Sequence, residues 1–108
     1  MKEEQMEVVE LVVYKIKPDL NENYVNVAIE VFRKLVMGFD GFISYDFYRS
    51  SRDENCFMDY VRWSSLEFAE EAARQVKLAQ KAPEYKEYLE AFETLEIFNH
   101  FGLVKSWS

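Results

Sequence analysis

One cysteine, one histidine, two prolines and three glycines are spread over 108 residues. A single cysteine cannot close a disulfide within the chain, so a reducing compartment is the expected setting. With one histidine and one cysteine in total, a two-histidine or multi-cysteine metal site is excluded, and no metal is expected. Three glycines cannot supply a glycine-rich phosphate loop. Basic residues are the minority charge: 13 Lys+Arg against 20 Asp+Glu give a net charge of −7. Nucleic acid and anionic membrane surfaces reward positive charge, and neither is an expected partner. The longest apolar run, around Val8 to Ile16, is broken by Glu10 and Lys15. It falls short of the roughly 20 residues of a spanning helix. The stretch Met1-Lys2-Glu3-Glu4-Gln5 is charged, with no apolar region of a signal peptide behind it, so a cytoplasmic location is expected. Residues 1–5 bring nothing to bury and are expected to be disordered.

The chain does carry aromatic and apolar residues: nine Phe, seven Tyr and two Trp, with 49% hydrophobic overall. That composition suits a packed core, and the length suits one domain spanning 1–108. Residues 7–17 are rich in β-branched side chains, stop at Pro18 and read as a strand. Asp19-Leu20-Asn21-Glu22 has capping-box spacing, and apolar residues at Val25, Ala28, Ile29, Phe32, Leu35 and Val36 predict a helix over 21–38. Gly38 is read as its left-handed stop. Strands follow from Gly41 to Arg49 and from Cys56 to Trp63, joined by a polar turn as a hairpin. Ser64-Ser65-Leu66-Glu67 repeats the capping-box spacing before a helix with Ala69, Ala72, Ala73 and Val76 on its apolar side. Pro83 opens a short second piece, and Leu95 to about Lys105 reads as the last strand.

The order β-α-β-β-α-β predicts an α+β, ferredoxin-like fold: a four-stranded antiparallel sheet with helices on one face. Neither parity of these strands is polar. In the first strand, Val8, Val12, Tyr14 and Ile16 oppose Val9, Leu11 and Val13. In the second, Phe42 and Tyr48 oppose Ile43, Tyr45 and Phe47; in the fourth, Leu95, Ile97 and Phe101 oppose Phe98 and Val104. Helices can cover one face only, and the other would expose a patch larger than a monomer normally shows. The expected remedy is a homodimer joined through the helix-free sheet faces.

Gly41-Phe42 at the second strand, Tyr60-Val61-Arg62-Trp63-Ser64-Ser65 at the end of the third and Pro83 before an aromatic-rich turn carry a resemblance. Over roughly residues 7–105 the chain resembles the dimeric α/β-barrel superfamily, and within it the antibiotic-biosynthesis monooxygenase-like family. The resemblance implies a barrel made by two sheets and a pocket between sheet and helices, with Trp63 near it. It also implies cofactor-independent oxidation of small aromatic or quinol-type substrates, so no cofactor is expected. The chain departs from the family's haem-degrading members. They use a helix histidine and a first-strand asparagine; here the helix after Trp63 has no histidine, and the first strand offers Glu7 and Glu10 instead.

Individual residues each admit a chemical and a structural reading. His100, the only imidazole, is a candidate catalytic acid–base group or a strand histidine at a seam or edge. Asp59, on the Trp63 parity, is a candidate proton acceptor or half of a cross-strand ion pair. Asp46 and Arg62 are read as cross-strand or edge charges. Trp63, Tyr45 and Tyr60 are candidate contacts for a flat aromatic ligand, with Tyr14 and Tyr48 as further donors; the alternative is amphipathic packing. Cys56 is read as an inert thiol, and Glu3, Glu4, Glu7 and Glu10 as a solvated leader. RNA-recognition modules share the topology, but Cys56-Phe57-Met58-Asp59-Tyr60 lacks their basic-Gly-aromatic signature. Amino-acid-binding regulatory modules usually have a glycine turn where this chain has Lys17-Pro18-Asp19. Two readings remain: a monooxygenase-like enzyme of a small aromatic substrate, and a non-catalytic homodimer that binds a small ligand or serves a structural role.

Overall fold

The computed structural model describes residues 6–108. The expectation for residues 1–5 lies outside the described residues. Four strands form one antiparallel sheet: β1 (Val8–Ile16), β2 (Phe42–Arg49), β3 (Cys56–Trp63) and β4 (Phe92–Gly102). Their order across the sheet is β2-β3-β1-β4, the ferredoxin-like arrangement. β-branched residues suit the central β1, which pairs Val8 with Trp63 on one side and Val8 with Gly102 on the other.

The first helix, α1 (residues 21–37), is continuous but not uniform. A five-residue π turn, Tyr24–Ala28, joins Asn21–Asn23 to Ile29–Met37, with Ile29 N–H donating to the Tyr24 carbonyl. The extra residue offsets the helical face, so Tyr24, not Val25, is fully buried. The helix α2 (Leu66–Ala79) is capped by Ser65, whose hydroxyl accepts from Phe68 N–H at 3.3 Å. The cap therefore sits one residue later than the Ser64 box predicts, and Glu67 falls in the first turn. A 3-10 turn, Pro83–Tyr85, leads into α3 (Lys86–Ala91), where proline at the first position costs no hydrogen bond.

All three helices lie over the face formed by Val8, Val12, Tyr14 and Ile16 of β1 and Phe57, Val61 and Trp63 of β3. Burying each of these large side chains is worth roughly 1.5–3 kcal/mol. The smallest extent of the molecule is 19 Å, room for one helical layer on the sheet and no more.

Three local expectations are corrected. Gly38 has right-handed dihedrals (φ −83°); α1 ends on tight bonds from Gly38 N–H to Leu35 O and from Phe39 N–H to Val36 O. The left-handed glycine is Gly41 (φ 85°), whose missing side chain admits the Phe68 ring; a Cβ there would collide with it. Second, the pairing shifts between Phe42 and Ser44, which places Phe42 on the helix side with Tyr45, edge-on to Trp63 at 5.8 Å. Third, β4 starts at Phe92 and has two shifts against β1, one of them at Glu96. That bulge moves Leu95 to the face of Phe98, away from Ile97. No helix among the described residues is long and apolar enough to cross a membrane.

Candidate functional site

The inward side of α2 is built from small residues, Ala69, Ala72 and Ala73, with Val76 beyond them. Small side chains leave the helix and sheet unfilled between them. Phe32 and Val36 of α1, Tyr88 of α3, and Phe92, Leu95 and Phe98 of β4 close the remaining sides. The result is a cavity of about 700 Å³, within the range of small-molecule sites. Its walls are mainly apolar. Glu10, Tyr45, Asp59 and Trp63 are the polar groups that the sheet contributes, and Arg74, Lys77 and Gln80 of α2 border it.

Asp59 is 2% exposed, a carboxylate where carboxylates are rarely tolerated. Two phenols hold it. Tyr14 donates to Oδ1 at 2.7 Å and Tyr45 donates to Oδ2 at 2.6 Å. Tyr24, brought inward at the π turn, donates to the Tyr14 hydroxyl at 2.6 Å. The chain Tyr24 to Tyr14 to Asp59 therefore joins α1, β1 and β3. Burial pushes the Asp59 carboxyl up to about 6, against the two tyrosine hydrogen bonds that favour its charge; the nearby Glu10 adds to the rise. The same burial, with Asp59 beside them, raises Tyr14 and Tyr45 well above the usual phenol range, so both stay protonated donors.

Glu10 lies two residues before Val12 on β1, on the same face as Asp59. It is no leader residue: strand alternation carries it inward with Val8 and Val12, and its side chain is 13% exposed. Its partner comes from β4, where His100 stands directly opposite in register. His100 Nε2 lies 3.0 Å from Glu10 Oε1, within hydrogen-bond distance. Burial pushes Glu10 up, and the His100 hydrogen bond offsets only part of that. Trp63 is 1% exposed, and its Nε1 has no hydrogen-bond partner. It lies close enough to favour the Glu10 charge slightly, without completing a bond.

Asp59, Trp63 and Tyr45 thus stand together in the cavity wall, and His100 meets the cavity only through Glu10. Tyr60 lies on the opposite sheet face, in a shallow depression with Val9, Leu11, Phe101 and Leu103. Tyr48 also faces away from the helices and is 49% exposed. Arg62 pairs with Glu7 at 2.6 Å on that side. Two residues of the site escape the sequence reading, Glu10 and Tyr24. The parity of β1 was the available signal for Glu10; a π turn gives no comparable signal for Tyr24. Among the described residues, no group of three His, Cys, Asp or Glu side chains could hold a metal ion.

A family model described as antibiotic biosynthesis monooxygenase matches residues 7–91. No curated protein matches the chain. Among solved structures, similarity extends to a Bordetella bronchiseptica protein provisionally assigned as an antibiotic biosynthesis monooxygenase. Its TM-score is 0.77 at 19% identity, covering 94% of this chain and 100% of that one. MupZ from Pseudomonas fluorescens superposes with a TM-score of 0.72 at 10% identity, covering 94% and 72%. SnoaB, a cofactor-independent oxygenase from Streptomyces nogalater, superposes with a TM-score of 0.66 at 12% identity, covering 94% and 95%. At these identities the structural likeness speaks for the fold.

Proposed function

This chain belongs to the antibiotic biosynthesis monooxygenase family, and on that premise we propose that it oxidises a small aromatic or quinol-type substrate with dioxygen, without a cofactor. The observation that carries the reading is the buried Asp59 carboxylate, held by Tyr14 and Tyr45 in the wall of an aromatic-sized apolar cavity. A base whose pKa is pushed up to about 6 is mostly ionised at neutral pH, yet binds a proton more readily than an ordinary aspartate.

In this reading Trp63 and Tyr45 hold the ring, and Asp59 removes a proton from an activated C–H or O–H. With an anthrone, the resulting carbanion gives one electron to dioxygen. The radical and superoxide combine into a peroxide, which takes a proton and loses water. One oxygen atom ends on carbon as the new carbonyl and the other leaves as water with the two substrate hydrogens. Tyr14 and Tyr45, protonated throughout, hold the carboxylate in place and steady its charge. His100 stands behind Glu10.

Two copies joined through the helix-free faces complete the proposed assembly, a dimeric α/β barrel. Ile97, Phe101 and Leu103 are 43%, 46% and 66% exposed on β4 and just past it, apolar positions interrupted on that face only by Asn99, which a second copy would cover. Tyr60 has its place in that seam.

Dioxygen uptake with anthrone, followed in an oxygen electrode, tests the activity. The expected result is turnover above the spontaneous rate, lowered about 10²–10⁴-fold by Asp59→Asn, the usual contribution of a positioned base. Uptake no faster than the blank leaves the non-catalytic, ligand-binding homodimer in its place.

A further inference from the structure

We infer that Glu10 is a second catalytic residue of this cavity, a general acid that gives its proton to the departing oxygen when the substrate peroxide breaks down, and that His100 is the positioning residue that holds and reloads it. The inference rests on the oxidation proposed above and assigns the step that Asp59 cannot carry out alone.

The need for a second carboxyl follows from the proton count. Asp59 takes the first proton from carbon and returns it to the new peroxide, which becomes a hydroperoxide. Breakdown then needs two transfers together. A base removes the second proton from the same carbon, the C–H electron pair becomes the second bond of the carbonyl, and the O–O bond breaks. Unless an acid meets it, the outer oxygen leaves as hydroxide, a costly ion in an apolar cavity. Each Asp59 oxygen already accepts a tyrosine hydrogen, from Tyr14 and from Tyr45. Both tyrosines keep their protons, so Asp59 is furnished to receive a proton at this moment and not to give one. A proton from Glu10 makes the outer oxygen water. The carbon has lost four electrons and dioxygen has taken four. Asp59 ends protonated and Glu10 ionised; one proton released to solvent and one taken up restore both.

Glu10 is placed for that role. It lines the cavity together with Asp59. Val12 is opposite Asp59, and Glu10 is opposite Val61. The two carboxyls are therefore diagonal neighbours on one sheet face, with backbones roughly 7–8 Å apart. A carbon and the peroxide it carries fit between them, one carboxyl to each. Their partners differ in kind. Asp59 is hydrogen-bonded by phenols, whereas Glu10 Oε1 lies 3.0 Å from His100 Nε2. An imidazole both takes and gives a proton near neutral pH. His100 is not part of the cavity lining, and 14% of its side-chain surface meets solvent. A proton can thus reach Glu10 from the β4 side while the cavity is occupied. Burial keeps the proton on Glu10 until it is needed, and the Trp63 indole N–H favours the anion left behind. From the helix side, Arg74 and Lys77 of α2 are the charges that border the cavity.

A single turnover tests the inference. Protein in excess over anthrone is prepared anaerobically and mixed with oxygenated buffer, and the loss of anthrone and the growth of anthraquinone are followed by absorbance. In the unsubstituted protein the two traces should coincide. Glu10→Gln keeps the size of the side chain and has no acidic proton. Anthraquinone should then form about 10²-fold more slowly than anthrone is lost, with the difference recovered as hydroperoxide in quenched samples. His100→Ala should show the same lag, and it carries the test if Glu10→Gln does not fold. Added imidazole should close the His100→Ala lag; thiazole, of the same shape but unprotonated at neutral pH, should not. Closure by both would make His100 a space-filling residue and remove the reloading step. Coincident traces in Glu10→Gln, or an equal slowing of both, overturn the inference. If the unsubstituted protein consumes anthrone no faster than the blank, the proposed oxidation falls and this inference with it. If it oxidises anthrone and Glu10→Gln shows no lag, only the role of Glu10 falls.

Discussion

On β3, Phe57, Asp59, Val61 and Trp63 look toward the helices and are at most 2% exposed, whereas Cys56, Met58, Tyr60 and Arg62, one step out of phase, are only partly buried. The same strand thus treats acidic chemistry in two ways. On the covered side, loss of water raises Asp59 to about 6, despite two hydrogen bonds that favour its charge. On the bare side, the Arg62 guanidinium holds Glu7 below the ordinary carboxylate range while both remain in solvent. Burial under a helix, and not the presence of a carboxylate, is what turns an acidic side chain into a base of useful strength. The small residues of α2 matter for the same reason. They leave a cavity beside Asp59, where a bulkier face would have left a filled core.

The contrast between the faces can be broken at its outer side first. Phe101→Glu places a charge in the middle of the bare apolar strip. If that strip is a seam between copies, sedimentation at micromolar concentration should change from dimer to monomer, a weakening of about 100-fold or more. An unchanged sedimentation coefficient would remove the seam from this face.

Next comes the seat of α2 on the covered face. Gly41→Ala adds a left-handed alanine and a collision with Phe68, so urea denaturation should show a loss of about 3 kcal/mol. A loss below about 1 kcal/mol would mean that Phe68 moves aside freely.

Asp59→Asn sharpens the comparison in the opposite direction. Because the folded-state pKa of Asp59 is raised, its protonated form is the one that folding favours. That contribution is complete below the unfolded value near pH 4 and is lost as pH rises toward about 6. The asparagine variant should therefore gain about 3 kcal/mol over the unsubstituted protein well above pH ~6 and nothing below pH ~4, read from chemical denaturation across that range. A pH-independent difference would mean that Asp59 folds with an ordinary acidity. Smallest of all is Arg62→Ala on the bare side: a solvated ion pair with Glu7 should leave Tm essentially unchanged in calorimetry.

Much of this plan is legible in the residues. The parity of β1 and β3 sorts Val8, Val12, Tyr14 and Ile16 from Val9, Leu11 and Val13, and groups Asp59 with Trp63, because an unbroken strand alternates strictly. Legibility fails where alternation is interrupted. Shifts at Ile43 and Glu96 move Phe42 and Leu95 across the sheet, and one inserted residue rotates Tyr24 inward; none of these has a residue signature. The pairing of Glu10 with His100 joins positions 90 residues apart, and only the β1–β4 register brings them together.

The two kinks in β4 have a bearing on how the protein behaves when concentrated. β4 is an outermost strand, and an open, straight edge of that kind invites further chains to add on as ribbons. Here the edge bends twice, and the residues at the bends, Glu93 and Glu96, carry negative charge into solvent. An approaching strand meets an interrupted ladder and like charges, which keeps growth along this border from propagating into fibrils.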